Sequence, residues 1–168
     1  NRWQATLWDF NIAYGNANYN YGDRTDLWQY DFNSRSGDDQ QVPFWWKKLL
    51  ADPAFVKELK ERWKEYREGA YSDENIEAKI NELTSQLTSG GAMDRNEQAW
   101  KMFGRQVWPN YYVGNSYDDE INYLKEWIRK RLIFLDAKLL PREADASVEP
   151  LALADGSCNA DVVAEATP

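Results

Sequence analysis

Histidine is absent from the 168 residues of this chain. Its absence excludes Ser–His–Asp triads, histidine-ligated metals and imidazole acid–base chemistry here. Cysteine occurs once, at Cys158. No disulfide can close within the chain, and the polar neighbours of Cys158 do not form a zinc pattern. Long apolar runs are missing, which excludes a transmembrane helix. No signal-peptide pattern opens the chain, although it starts at Asn1 rather than Met, as a processed or excised form would. Neither Gly-x-x-x-x-Gly-Lys nor Gly-x-Gly-x-x-Gly occurs, so no glycine-rich phosphate cradle is expected. Aliphatics are scarce too. Leu, Ile, Val and Phe together make up about a fifth of the chain, at the edge of the range in which chains fail to fold.

Nine Trp and ten Tyr reverse that last inference. Each ring buries a large area, so a core can be built from aromatics. The length suits one domain. The net charge of −8 argues against nucleic acid as a partner, since phosphate backbones need a basic surface. The charge is uneven: residues 141–168 hold one Arg against six acids, seven Ala and no aromatic. This stretch reads as a linker or disordered tail.

Four zones follow one another. Residues 2–8 are strand-like and end in Asp9-Phe10-Asn11. Residues 13–41 are crowded with Asn, Asp, Gly, Ser and Tyr, which favour turns over regular elements. Such a length marks either a functional loop or one that packs its own Trp28, Tyr30 and Phe32 as a satellite cluster. Residues 43 to about 140 read as consecutive helices. Pro43 opens a short one to Leu50, and Asp52-Pro53 is an N-cap followed by proline at the first helical position. Phe55, Leu59, Trp63 and Tyr66 then recur at helical spacing. Ser72 caps a helix carrying Ile76, Ile80, Leu83 and Leu87, which Gly90-Gly91 terminates. A further helix is expected from about Met93 to Trp108, presenting Trp100, Phe103 and Val107. Ser116 and Asp119 resemble a capping box. Behind them Ile121, Leu124, Ile128, Leu132, Leu135 and Leu139 form the cleanest amphipathic stripe in the chain. The fourth zone is the tail.

Few constellations could carry chemistry. Asp9, at the end of a strand and followed by turn-prone residues, is well placed to hold Mg²⁺, which needs only one or two carboxylates beside a phosphate. The plainer alternative is a strand-ending Asp that satisfies turn amides. Asp23, Asp26, Asp31, Asp38 and Asp39 could ligate calcium, but the calcium-loop pattern is missing and a solvated acidic loop is the simpler reading. Trp28, Tyr30, Trp45 and Trp46 beside carboxylates would suit a sugar-binding cleft, and glycosidases need no histidine. Core positions are favoured for most aromatics, because Trp63, Trp100 and Trp127 lie at or beside apolar stripes. Arg129, Lys130 and Arg131 spread around their helix and read as a solvated face.

The order of short motifs is more specific than any of them alone. Trp8-Asp9-Phe10-Asn11 is followed by Tyr14-Gly15-Asn16 and a long polar stretch. Then come Pro43-Phe44-Trp45-Trp46-Lys47-Lys48-Leu49-Leu50-Ala51-Asp52-Pro53-Ala54-Phe55 and Leu59-x-x-Arg62-Trp63. Asn96, Trp100, Glu120-Ile121-x-x-Leu124-Lys125-x-Trp127-Ile128, Arg131 and Leu135-Asp136 complete the series. From about residue 3 to 139 the chain resembles the C-terminal part of the CotH family, atypical protein kinases of the spore-coat-protein-H type.

The resemblance implies a mainly α fold. It would be the helical C-terminal lobe of a protein-kinase-like fold, with a short N-terminal strand or hairpin and a long polar loop. Residues 1–140 would be that lobe and 141–168 the tail. It implies Mg²⁺–ATP-dependent phosphorylation of a protein substrate at Ser or Thr. The family's Trp-Asp-Phe/Tyr-Asp motif maps its metal-holding acid to Asp9. Its second acid is Asn11 here, a cofactor-binding position where the lost negative charge weakens metal binding. The family's nucleotide-binding lobe, with its Lys and catalytic-base Asp, would precede Asn1, so the chain alone is expected to be inactive. Family analogy points to an extracytoplasmic or cell-surface setting. Two other readings stay open: a carbohydrate-binding or accessory domain of a secreted bacterial protein, and a non-catalytic adhesion module.

Overall fold

The computed structural model describes residue 10 and residues 12–36 and 42–141. The strand expected at 2–8, the candidate ligands Asp9 and Asn11, the acids Asp38 and Asp39, and the tail from 142 lie outside the described residues. Among the described residues the protein is mainly α, with no strand. A 3-10 turn (Gln29–Asp31) leads into α1 (Phe32–Ser36). There follow α2 (Phe44–Leu50), α3 (Pro53–Arg67), α4 (Asp73–Ser89), α5 (Ala92–Trp100) and α6 (Tyr117–Leu139). The polar zone expected to lack regular elements thus contains two short helical turns.

Helix starts follow local chemistry. The Asp52 carboxylate accepts the Ala54 N–H at 2.8 Å with Pro53 at the first helical position. The Ser72 hydroxyl accepts the Asn75 N–H, and Ser116 accepts that of Asp119 at 3.1 Å. Each bond satisfies a donor that the helix itself cannot. The Asp119 carboxylate reaches back to the Asn115 N–H at 2.9 Å, one residue earlier than in a full capping box. Gly91, at φ 64°, separates α4 from α5.

The helix expected to run to Trp108 stops at Trp100. Lys101 turns left-handed at φ 50°, and the Glu97 carboxylate accepts the Met102 N–H at 2.9 Å and that of Phe103 at 3.4 Å. The side chain therefore caps the helix at a point that the apolar spacing runs past. Residues 101–116 form an irregular segment instead.

The long helix α6 is the hub. It packs against α3 and α4, and it carries two of the few buried apolar side chains among the described residues, Leu132 and Leu139. Ala17, Phe32 and Val42 are the other buried hydrophobics among the described residues. Asn33 holds Val42 from both sides: its amide donates to the Val42 carbonyl at 3.1 Å and its oxygen accepts the Val42 N–H at 2.9 Å. On α4, Ile76 and Ile80 are half-buried while Leu83 and Leu87 face solvent. The aromatic core expected from composition is not realised. None of the described tryptophans is buried; Trp63 and Trp127 are half-buried and Trp100 is 67% exposed. The rings instead lie over the helices in pairs, such as Tyr66 on Tyr71 at 5.1 Å.

A polar link fastens α3 to α6. The Trp63 indole N–H donates to Asp136 at 2.9 Å, and the Arg67 guanidinium donates to both Asp136 oxygens at 3.1 Å. Asp136→Ala removes the acceptor for two partly buried donors. An expected loss of about 2 kcal/mol would appear as a lower urea midpoint with an unchanged slope. Arg67 keeps Asp73 at 2.9 Å, which holds the loss below that of a fully buried broken pair.

Candidate functional site

The segment that follows the Asp9-Phe10-Asn11 motif is laid along one face of α6. Three side chains spaced four apart, and so on one face of a helix, anchor it. The Tyr123 hydroxyl donates to the Gly15 carbonyl at 3.0 Å. The Trp127 indole N–H donates to the Asp23 carbonyl at 2.8 Å. One nitrogen of Arg131 donates to the carbonyls of Thr25 and Leu27, at 2.8 and 2.7 Å. Arg131 also lies over the rings of Trp28 and Phe134, at 5.7 and 5.2 Å from their centres. A second support comes from the irregular segment: the Asn18 N–H donates to the Pro109 carbonyl at 2.9 Å, and Asn16 bonds Asn110 at 3.2 Å.

The start of this loop is tightly turned. The Phe10 carbonyl accepts the Ala13 N–H at 3.0 Å. Tyr14 and Gly15 follow with φ of 56° and 84°. Gly15 is buried, and a Cβ added to it would lie 2.2 Å from the Trp127 ring. Glycine is therefore required both for the backbone angle and for the contact. The loop and α6 enclose a cleft of about 400 Å³ lined by Tyr14, Tyr21, Arg24, Arg35, Trp127 and Arg131 among others. A smaller cavity of about 220 Å³ lies beside Phe10, between Tyr14, Glu120 and Tyr123. Glu120 accepts the Gly114 N–H there at 2.6 Å.

Electrostatics define what these groups can do. Burial, with Tyr111, Asp23, Glu120 and Tyr112 adding to it, pushes the Tyr123 phenol up to about 12. Tyr123 is thus a hydrogen-bond donor at any physiological pH, not a base. Burial lowers the Arg131 guanidinium, an effect opposed by Asp26. The Arg24 hydrogen bond holds the Asp26 carboxyl below its ordinary value. Between pH 10 and about 12 the folded state keeps the Tyr123 proton while the unfolded chain has lost it, so stability falls with rising pH in that window. Tyr123→Phe is expected to remove this part of the decline. Urea midpoints at pH 9 and 11 for the two proteins would check it.

Two of the loop acids, Asp26 and Asp31, are paired with cations rather than gathered. Asp26 is bound to Arg24 at 2.7 Å, and Asp31 lies 3.6 Å from Arg35 and 3.9 Å from Lys47. Among the described residues no group of three or more acidic, His or Cys side chains could hold a metal ion. Trp28 packs on Tyr30 and Phe134, whereas Trp45 packs on Trp46 and is half exposed. Of the expected satellite cluster, Trp28, with Tyr30 beside it, packs on α6 through Phe134, and Phe32 is buried. The basic run resolves into two roles. Arg129 and Lys130 are solvated and pair with Glu126, whose carboxyl the Arg129 hydrogen bond holds down to about 2. Arg131 is not part of that solvated face, because it anchors the loop. Sequence reading missed the set Tyr123, Trp127 and Arg131. Its signal was a row of side-chain donors at intervals of four beside the apolar stripe.

A sequence model of one family, described as CotH kinase protein, matches residues 1–135. Comparison with curated proteins and with solved structures gives no match.

Proposed function

The chain belongs to the CotH kinase protein family, and on that premise we propose that it forms the metal-bearing, helical C-terminal lobe of a Mg²⁺–ATP-dependent protein kinase. Asp9 would hold magnesium, with Asn11 as a neutral oxygen beside it. Residues up to 140 would make up the lobe. The donor set suits that ion: a carboxylate and an amide are hard oxygen ligands, and magnesium keeps waters and substrate phosphates for its remaining positions. When bound, the metal would neutralise charge on the transferring phosphoryl group. The chain's own contribution would be to fix the position of Asp9 relative to the helices. The observation that carries this reading is the row of Tyr123, Trp127 and Arg131 bonds, which holds the backbone from Gly15 to Leu27 on α6 directly after the motif. The substrate would be a protein Ser or Thr hydroxyl. Calorimetric titration of Mg²⁺–ATP into the full-length gene product tests the reading. Saturable heat that requires magnesium supports it, and a folded protein that gives none overturns it.

A further inference from the structure

The 400 Å³ cleft between the loop and α6 has a lining at odds with the rest of the chain. Three arginines line it, Arg24, Arg35 and Arg131, and no Asp or Glu among the described residues does. Asp26 pairs with Arg24 at 2.7 Å and Asp31 lies 3.6 Å from Arg35, both outside the lining, so the cleft wall itself presents guanidinium and no carboxylate. The guanidiniums are also incompletely used. Arg35 gives one terminal nitrogen to the Trp28 carbonyl and has the other 3.6 Å from Asp31, longer than a hydrogen bond, while its Nε is buried. Arg131 uses a single nitrogen for its two carbonyls. Arg24 gives Nε and one terminal nitrogen to Asp26 and has another left over. The three groups are neighbours: Arg35 donates to the Trp28 carbonyl at 3.1 Å, Arg131 lies over the Trp28 ring, and Arg24 and Arg131 both act on Asp26.

Backbone strain gathers at the same place. Four described residues other than glycine have positive φ, and three of them, Tyr14, Asn20 and Tyr21, line this cleft. Strain of this kind persists where the surrounding structure over-determines it and is concentrated at ligand sites. We propose that the cleft is a recognition site for a phosphomonoester carried on a polypeptide, a phosphorylated Ser or Thr side chain. Guanidinium forks match phosphate oxygens in geometry as well as charge. The tyrosines and the Leu27 and Phe32 walls of the cleft would take the flanking peptide, which a free ion lacks. An extended polyanion is disfavoured by the chain's overall net charge of −8. The inference stands on this geometry alone and needs neither Asp9 nor magnesium.

The test is binding of a degenerate phosphoserine and phosphothreonine peptide library and its unphosphorylated twin to the full-length gene product, without magnesium. Tryptophan fluorescence and calorimetry give the readout. Selective retention of phosphopeptides is expected. Arg24→Ala and Arg35→Lys should each weaken it by about tenfold, with circular dichroism showing that the variants remain folded. Arg24 is exposed and paired only to Asp26, so its variant keeps the test sound if Arg35→Lys fails to fold. Equal binding of the two libraries overturns the proposal. So does inorganic phosphate or ATP binding as tightly as the phosphopeptides, or affinity that both arginine variants leave unchanged. Because magnesium is omitted, an Asp9→Ala protein should bind these peptides normally. Failure of the kinase reading would thus not be mistaken for failure of this one.

Discussion

Asp9→Ala is expected to abolish saturable Mg²⁺–ATP binding by the full-length gene product and to lower protein phosphorylation by at least about 100-fold, the loss typical of removing one preorganised electrostatic contact to the reacting centre. Magnesium has few protein ligands in such sites, so deleting one carboxylate removes a large share of them. Asn11→Asp should act in the opposite direction. It adds a second negative oxygen donor two residues away and should tighten magnesium binding by about tenfold, as ligand charge count tunes affinity. The pair of variants is more telling than either alone. Loss in the first with gain in the second places the metal at this motif. An Asp9→Ala protein that transfers phosphate at the original rate removes Asp9 from the mechanism.

Gly15→Ala should destabilise the protein by about 3 kcal/mol, the sum of an overpacking penalty and a left-handed backbone imposed on a residue with a side chain. The new methyl would meet the Trp127 ring at 2.2 Å. The ring cannot easily yield, because its N–H is held by the Asp23 carbonyl and its edge faces Tyr14 at 6.1 Å. Gly69→Ala is the control, since its added carbon would lie 3.4 Å from the Glu65 carbonyl oxygen and only ordinary contact results. Urea denaturation of both variants separates the two cases. Equal midpoints would mean that the loop does not rest on α6 as described.

Much of the helical framework was legible in the sequence because its signals are local. Asp52, Ser72 and Ser116 each cap the helix that begins after them, and the stripe from Ile121 to Leu139 falls within α6. The end of α5 was not legible. Trp100, Phe103 and Val107 keep a helical spacing past the point where Glu97 turns back on the chain and Lys101 reverses φ. Apolar periodicity reports which residues could share a face, not whether a polar side chain interrupts it. Arg131 was read as part of a solvated face for another reason. Its partners are backbone carbonyls more than 100 positions earlier, and a carbonyl leaves no mark on residue identity. The aromatic core was overestimated because ring content measures capacity for burial, while the number of packed layers decides how much is used. Of the candidate site, the motif itself was read from sequence. The surface that holds its neighbours emerged only from the fold.

All three anchors on α6 address main-chain oxygens of the loop rather than its side chains. Every residue type offers the same carbonyl. Most loop positions can therefore change identity over evolutionary time without detaching the segment from its helix, as long as Gly15 stays small. Path and content are thereby uncoupled. The helix preserves where the segment runs, and neutral drift among its side chains can explore new chemistries along a fixed course.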